Sequence, residues 1–262
     1  MIKNVIVRKP SKNFADGITT SNLGKPDYKK ALKQHEQYIK ALEKCGCNVT
    51  ILDADEKYPD STFVEDVAIV TEKCAIITKP GAESRKGEEK EIIDVLKKFY
   101  NNIEFLSGDA CLDGGDILRF ENHFYIGQSK RTNAEGAKQL TEILNKYGYT
   151  ASTVPVKKIL HLKTGIVYLG KNTFIGTGEF IDNDSFKDFK IINVDDDEAY
   201  SANCIMMNDN LIIPKGFKKS KKNLVDAGYK IVEVEMSEFE KMDGGLTCLS
   251  LRIPVSAANN LE

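Results

Sequence analysis

The sequence predicts an α/β protein built as a closed ring of five ββαβ units about a pseudo-fivefold axis. The first observation is a recurring two-strand unit: an apolar run, a short polar turn, a second apolar run, then glycine or similar punctuation. The second is its spacing of roughly 40 to 50 residues, in the range of repeat architectures. The third is that the N-terminus carries the helix and lone strand that the last copy lacks.

In chain order, Val5–Val7 reads as a strand, Tyr28–Lys44 as a helix ended by Gly46, and Val49–Leu52 as a strand. The hairpins follow at Val67–Thr78, Ile117–Ile126, Ile166–Ile175, Cys204–Pro214 and, less completely, Leu246–Ile253. Helical periodicity runs over Glu88–Tyr100, Ala134–Tyr147 and Lys218–Ala227, and more weakly near Ser185. Lone strands are expected at Ile103–Leu106, Thr150–Val156, Lys190–Val194 and Lys230–Val234. Joining the last hairpin to the N-terminal elements closes the ring and leaves a central funnel into which strand-end loops point. An open mixed sheet with helices on both faces is the alternative arrangement of the same elements.

The 262 residues, 41% hydrophobic and 29% charged, suffice for a sizeable core and exclude disorder as the main state. No linker divides them, so residues 1–256 read as one domain and 257–262 as an unmatched tail. A net charge of −2 offers no basic excess for nucleic acid. No apolar stretch reaches the length of a membrane span or a signal-peptide core, and six sparse cysteines form no disulfide scaffold; a cytoplasmic protein with free thiols is expected. A homodimer is admitted, though no interface stripe marks one.

Acid-rich segments open three of the five hairpins: Asp60-Ser-Thr-Phe-Val-Glu65-Asp66, Asp113-Gly-Gly-Asp116 and Asp243-Gly-Gly-Leu-Thr-Cys248. Asp-Gly is ordinary turn chemistry and an Asp can cap a neighbouring backbone. Three such segments at matching positions, built from poor strand residues, point instead to a shared site. Without a Walker loop or a His-rich triad, converging carboxylates match an organic cation better than a metal, and a planar guanidinium best. Of three histidines, His35 and His123 read as exposed, in the first helix and a hairpin turn, and His161 stands at the edge of the third unit. Cys248 holds the position in its unit that the acids hold in theirs. Cys204 also begins a hairpin, and a buried inert thiol is the default for either.

This combination resembles the dimethylarginine dimethylaminohydrolases of the guanidino-group-modifying, or amidinotransferase, superfamily. The matching segments are Asp60–Asp66, Thr78–Arg85, Leu112–Asp116, Tyr125–Asn133, Leu160–Thr164, Ala202–Cys204 and Asp243–Ser250, in the family's order and over essentially the whole chain. The resemblance implies the pentein fold, a five-bladed α/β propeller. It also implies hydrolysis of Nω-methylated arginines to citrulline and methylamine or dimethylamine. By the same resemblance Cys248 is the nucleophile, His161 the acid/base and Asp113 the acid that orients it. Asp60 and Asp66 stand near the guanidinium with Glu65 beside them, Arg85 and Arg131 meet the α-carboxylate, and the loop around Ile18 is a lid. Family members vary between Glu and Asp at the position of Asp113.

A guanidinium carbon is a poor electrophile, so the reaction needs a strong nucleophile and a proton for the departing amine. Cysteine and histidine provide both, and neither a metal nor an organic cofactor is required. Two rivals share these residues. An arginine deiminase would act on unmethylated arginine, but usually carries a helical insertion that this chain lacks. A non-catalytic guanidine-binding protein would have no need of the thiol.

Overall fold

The computed structural model describes residues 1–255, so the tail expected at 257–262 and Ser256 lie outside it. Among the described residues fifteen strands form five three-stranded sheets. The chain opens with β1 (Ile2–Arg8), α1 (Tyr28–Lys44) and β2 (Asn48–Leu52). The first unit contains β3 (Ala68–Val70), β4 (Ala75–Ile77), α2 (Lys90–Leu96) and β5 (Ile103–Phe105). The second contains β6 (Ile117–Phe120), β7 (His123–Gln128), α3 (Ala134–Lys146) and β8 (Thr150–Pro155). In the third, the short helix α4 (Leu162–Gly165) precedes β9 (Ile166–Tyr168), β10 (Thr173–Gly176) and β11 (Lys190–Asn193). The fourth holds β12 (Ile205–Met207), β13 (Asn210–Pro214), α5 (Lys218–Asp226) and β14 (Ile231–Val234). After α6 (Ser237–Glu240), β15 (Leu251–Pro254) returns to pair with β1.

In each sheet the central strand pairs antiparallel with one neighbour and parallel with the other. The fifth sheet has the order β15-β1-β2, and the Val255 N–H donates to the Met1 carbonyl at 3.2 Å. The two ends of the chain thus complete one blade and close the five-bladed α/β propeller.

Five separate hydrophobic clusters hold it together, each wedged between neighbouring sheets. Ile69 and Ile76 of the first unit, for example, share a cluster with Phe124, Leu140 and Leu144 of the second. Helix α1 starts where the Asp27 side chain accepts from the Lys30 N–H (2.8 Å), and Gly46 at φ +85° follows its end. Its inner face runs through Ala31, His35, Tyr38 and Leu42, all buried, at the three- and four-residue spacing of one helical face.

Three expectations need correction. His35 is 1% exposed rather than on the surface, because it falls on that inner face. His123 begins β7, half-buried, with its ring nitrogens 2.8 Å from the Thr150 and Ser152 hydroxyls. The crossover near Ser185 is only a one-turn helix (Asp184–Phe186), where Asn183 caps the Ser185 N–H and the polar Asp182-Asn183-Asp184 run sustains no longer helix.

Candidate active site

The acid-rich segments are not strand starts. Each hairpin is preceded by a short helical turn: Val64–Val67, Gly114–Asp116, α4, Asp196–Ala202 and Thr247–Leu249. The first touches the second and the fifth, and α4 touches the second and the fourth. Asn203 bonds the fourth to the fifth. The turns therefore ring the axis, and one end of the ring holds a cavity of about 30 Å³ lined by Cys248, His161, Asp60, Asp66, Arg85 and Arg131 together with Ile18, Phe63, Leu160 and Met242–Gly244.

His161 is 5% exposed and stands at the N-terminus of α4. Its Nε2 lies 3.0 Å from Oδ2 of fully buried Asp113, whose Oδ1 accepts the Gly81 N–H at 2.8 Å. The other ring nitrogen packs over Gly115, where a Cβ would come within 2.7 Å of Nδ1, so the second glycine of Asp-Gly-Gly is a steric need. Asp116 accepts the Leu162 N–H (2.9 Å) and hydroxyl protons from Ser129 (2.6 Å) and Thr132 (2.7 Å), which pins the turn beginning at His161. Burial favours the neutral imidazole, but Asp66, the bond to Asp113 and Asp116 outweigh it and raise the pKa to about 9. Burial likewise pushes Asp113 up, and its bond to His161 brings it below the usual range.

Cys248 Sγ lies 3.4 Å from the Gly245 N–H. Burial first, then the charges of Glu65 and Asp66, raise its pKa to about 12 against the opposing pull of that N–H and of Lys163. The two shifts favour a thiol and an imidazolium at neutral pH, both on the wall of one cavity. Cys204 is fully buried in the core cluster between the third and fourth units, and burial raises it to about 12 as well. It does not line the small cavity.

Asp60 accepts the Ile18 N–H through both oxygens (3.2 and 3.1 Å) and rises in pKa chiefly through burial. The loop around Ile18 is also tied to Asp243, which accepts the Thr20 N–H at 2.5 Å and its hydroxyl at 3.0 Å. Arg85 lines the cavity with its donors already engaged: Nη1 on Asp66 (2.5 Å), Nε and Nη2 on Glu88 (2.8 and 2.6 Å) and Nη2 on the Phe63 carbonyl (3.1 Å). Arg131 has a looser tie, Nη1 to Asp113 Oδ2 at 3.7 Å.

Glu65 is not brought into this group. Its carboxylate pairs with Lys163 (2.5 Å) and Arg252 on the axis and lines a separate, larger funnel of about 320 Å³. In the one-turn helix Val64–Val67 successive side chains are rotated about the helix axis and point in different directions, so Glu65 and Asp66 part company.

Sequence reading missed Glu88, Lys163, Arg252 and Asn203. A charge inside the apolar run Leu251-Arg-Ile, and the i,i+3 spacing of Arg85 and Glu88, were the available signals. Donor atoms of Asp66, Asp113 and His161 lie within 4.8 Å of one another. His161 is hydrogen-bonded to Asp113, while Asp66 accepts from Arg85 and from the Gly115 N–H (2.9 Å to Oδ1) and acts on the imidazole through its charge, an arrangement that favours a proton on the ring.

A family model described as eukaryotic N,N dimethylarginine dimethylhydrolase matches residues 19–253. An N(G),N(G)-dimethylarginine dimethylaminohydrolase of Pseudomonas aeruginosa is 47% identical over 253 residues, 96% of this chain and 100% of the relative. One from Streptomyces coelicolor is 34% identical, covering 96% of this chain and 97% of its own. A solved structure of the Pseudomonas protein, a cysteine-to-serine mutant complexed with citrulline, superposes with a TM-score of 0.95 at 46% identity, covering 97% of this chain and 100% of the other. The N-terminal domain of the cyanobacterial arginine dihydrolase ArgZ, bound to product, reaches 0.87 at 18% identity over 97% of this chain and 98% of its own, a likeness of fold alone. On the family match and on identity over nearly the full length, the chain belongs to the dimethylarginine dimethylaminohydrolase family.

Proposed function

We propose that this chain hydrolyses Nω-methylated arginine, as asymmetric dimethylarginine or monomethylarginine, to citrulline and dimethylamine or methylamine. Residues 1–256 act as one catalytic domain in the cytoplasm, with no cofactor. The observation that carries the reading is a thiol and an imidazole hydrogen-bonded to Asp113, both at one small cavity walled by Asp60 and Asp66. Six free thiols suit a reducing compartment, and no helix among the described residues is long and apolar enough to cross a membrane.

In this reading Asp66 receives the guanidinium, Asp60 takes the substrate's other positive end, and Arg131 binds the α-carboxylate. Arg85 holds Asp66 and Glu88 in place rather than reaching for substrate, and Glu65 works from the axis. The arriving cation lowers the cost of the Cys248 thiolate, whose proton leaves to solvent. Sulfur attacks the guanidinium carbon, the imidazolium of His161 gives its proton to the departing amine, and an S-alkylthiouronium remains. Water then loses a proton to the neutral imidazole and adds to the same carbon. The adduct then collapses: the C–S bond breaks, the hydroxyl proton passes to the departing sulfur, and citrulline leaves with Cys248 restored as the thiol and His161 again protonated. A cavity of about 30 Å³ holds little more than a water, so the lid around Ile18 must swing out to admit substrate.

The test is citrulline release from asymmetric dimethylarginine, compared with arginine, by the parent and by Cys248→Ser and Cys204→Ser. Activity lost in Cys248→Ser and kept in Cys204→Ser is expected. Faster hydrolysis of arginine would turn the assignment to a deiminase, and no turnover of either to a binding protein.

A further inference from the structure

Among the described residues, the fourth unit contributes nothing to the cavity that holds Cys248 and His161. Its axial turn nevertheless ends at Asn203, 4% exposed, whose carboxamide is spent on the turns of the two neighbouring units. Nδ2 donates to the Lys163 carbonyl at 2.9 Å, inside α4, two residues beyond His161. The same nitrogen donates to the Thr247 hydroxyl at 3.1 Å, and Oδ1 accepts the Thr247 N–H at 2.9 Å, one residue before Cys248.

A second set of contacts grips the peptide that reaches the sulfur. Tyr200, in the fourth unit's turn, donates its hydroxyl to the Gly244 carbonyl at 2.7 Å. The next residue, Gly245, donates to Cys248 Sγ, and a Cβ on Gly245 would collide with the Asn203 amide. The last glycine of Asp243-Gly-Gly is thus fitted to Asn203, and the N–H that meets the thiol lies in a peptide held from the same unit.

We propose that Asn203 is a positioning residue for hydrolysis: it sets the turn of the nucleophile against the turn of the acid/base and keeps the Gly245 N–H on sulfur. This rests on Cys248 as nucleophile and His161 as acid/base. Those two groups come from different units, and among the described residues no covalent or ladder contact fixes their separation. A planar amide with two donors and an acceptor satisfies the Lys163 carbonyl and both polar groups of Thr247 at once. An aspartate retains only the acceptor and adds a negative charge beside the thiol. A leucine retains the volume and leaves the Lys163 carbonyl and the Thr247 N–H buried without Asn203.

The test uses the full chain as Asn203→Asp, Asn203→Leu and Tyr200→Phe. Citrulline formation gives kcat and KM, melting gives stability, and peptide mapping follows iodoacetamide alkylation of Cys248 against pH. Misplacement by about an ångström predicts a kcat loss of roughly 100-fold in both Asn203 variants, with KM within about threefold. In Asn203→Asp the alkylation midpoint should also climb by about one pH unit. Tyr200→Phe should shift kcat in the same direction by less. The proposal is overturned by a kcat within about threefold of the parent, or by losses that track the melting temperature while the alkylation profile stays that of the parent. Should Asn203→Leu fail to fold, the other two variants decide. Alkylation needs no substrate, so it still decides if the parent proves inert toward dimethylarginine.

Discussion

Replacing Asp113 with Asn probes the proton on His161 with almost no change of shape. Asp113 Oδ1 accepts the Gly81 N–H at 2.8 Å and Oδ2 faces His161 Nε2 at 3.0 Å. An asparagine must keep its oxygen on the Gly81 N–H, because its amide nitrogen would meet a second donor there. The amide nitrogen therefore turns to the ring and requires a lone pair, not a proton, on Nε2. The lost attraction at 3.0 Å and an effective dielectric near 20 is on the order of 5 kcal/mol, several pKa units at about 1.4 kcal/mol each. That exceeds the rise from 6.5 to about 9, so the ring should be neutral at pH 7. The departing amine then lacks its acid, and kcat should fall by roughly 10²–10⁴-fold. What activity remains should move to lower pH, where the ring regains its proton, whereas the parent should keep its acid until about pH 9. Citrulline release across pH and the NMR titration of the His161 ring check both statements. A variant with the parent's kcat and an imidazole still titrating near 9 would refute the reasoning.

Three further outcomes follow. Asp66→Asn loses a charge-assisted contact worth roughly 1.5–3 kcal/mol and loosens Arg85, so kcat/KM for dimethylarginine should drop about 10- to 150-fold; Asp184→Asn, distant from the axis, should match the parent in the same assay. Asp243 sits at φ +56°, a conformation glycine adopts freely, so Asp243→Gly unlatches Thr20 without backbone strain; limited proteolysis should cut between Gly17 and Lys25 faster while the melting temperature holds. Burial lowers His35 to about 4 against 6.5 in the unfolded chain. The unfolded state therefore takes up that proton first, and stability should fall by up to about 3 kcal/mol between pH 6.5 and about 4. In His35→Leu, urea unfolding should show a flatter acid limb.

The architecture was legible because its signals are local. Tyr28–Lys44 carries its own cap, stripe and terminal glycine, and its bounds in the structure are those the pattern predicts. Ring closure could be read because β15 lacks a partner until β1 is brought to it. The division of labour among the charges was not legible. Nothing in Val64-Glu-Asp-Val67 says that Glu65 faces Lys163 and Arg252 on the axis while Asp66 faces the cavity, since that depends on how a single helical turn points within a ring of five. Arg85 likewise reads as a free cation until Glu88, hidden just before α2, is seen to occupy it. His35 reads as a surface residue only while its stripe partners are ignored.

The balance of charge at the axis gives the thiol its behaviour. Six buried carboxylates, of Asp60, Glu65, Asp66, Glu88, Asp113 and Asp116, face the cations of Arg85, Lys163 and His161 and the half-buried Arg131 and Arg252. One negative charge is left over, and a thiolate would make it two, which adds to the burial that holds Cys248 up at about 12. Dimethylarginine carries a guanidinium, an ammonium and one carboxylate, and so arrives with the one positive charge that the site lacks. Citrulline, with an uncharged ureido group, restores nothing. In His161→Gln, where the amine cannot depart, dimethylarginine should therefore increase the ultraviolet absorbance of the thiolate, and citrulline bound to the same variant should not. Binding of both is verified by calorimetry. Equal absorbance with the two ligands would mean that the carboxylates around the cavity do not govern ionisation of the nucleophile, and that its proton is removed by a group on the protein.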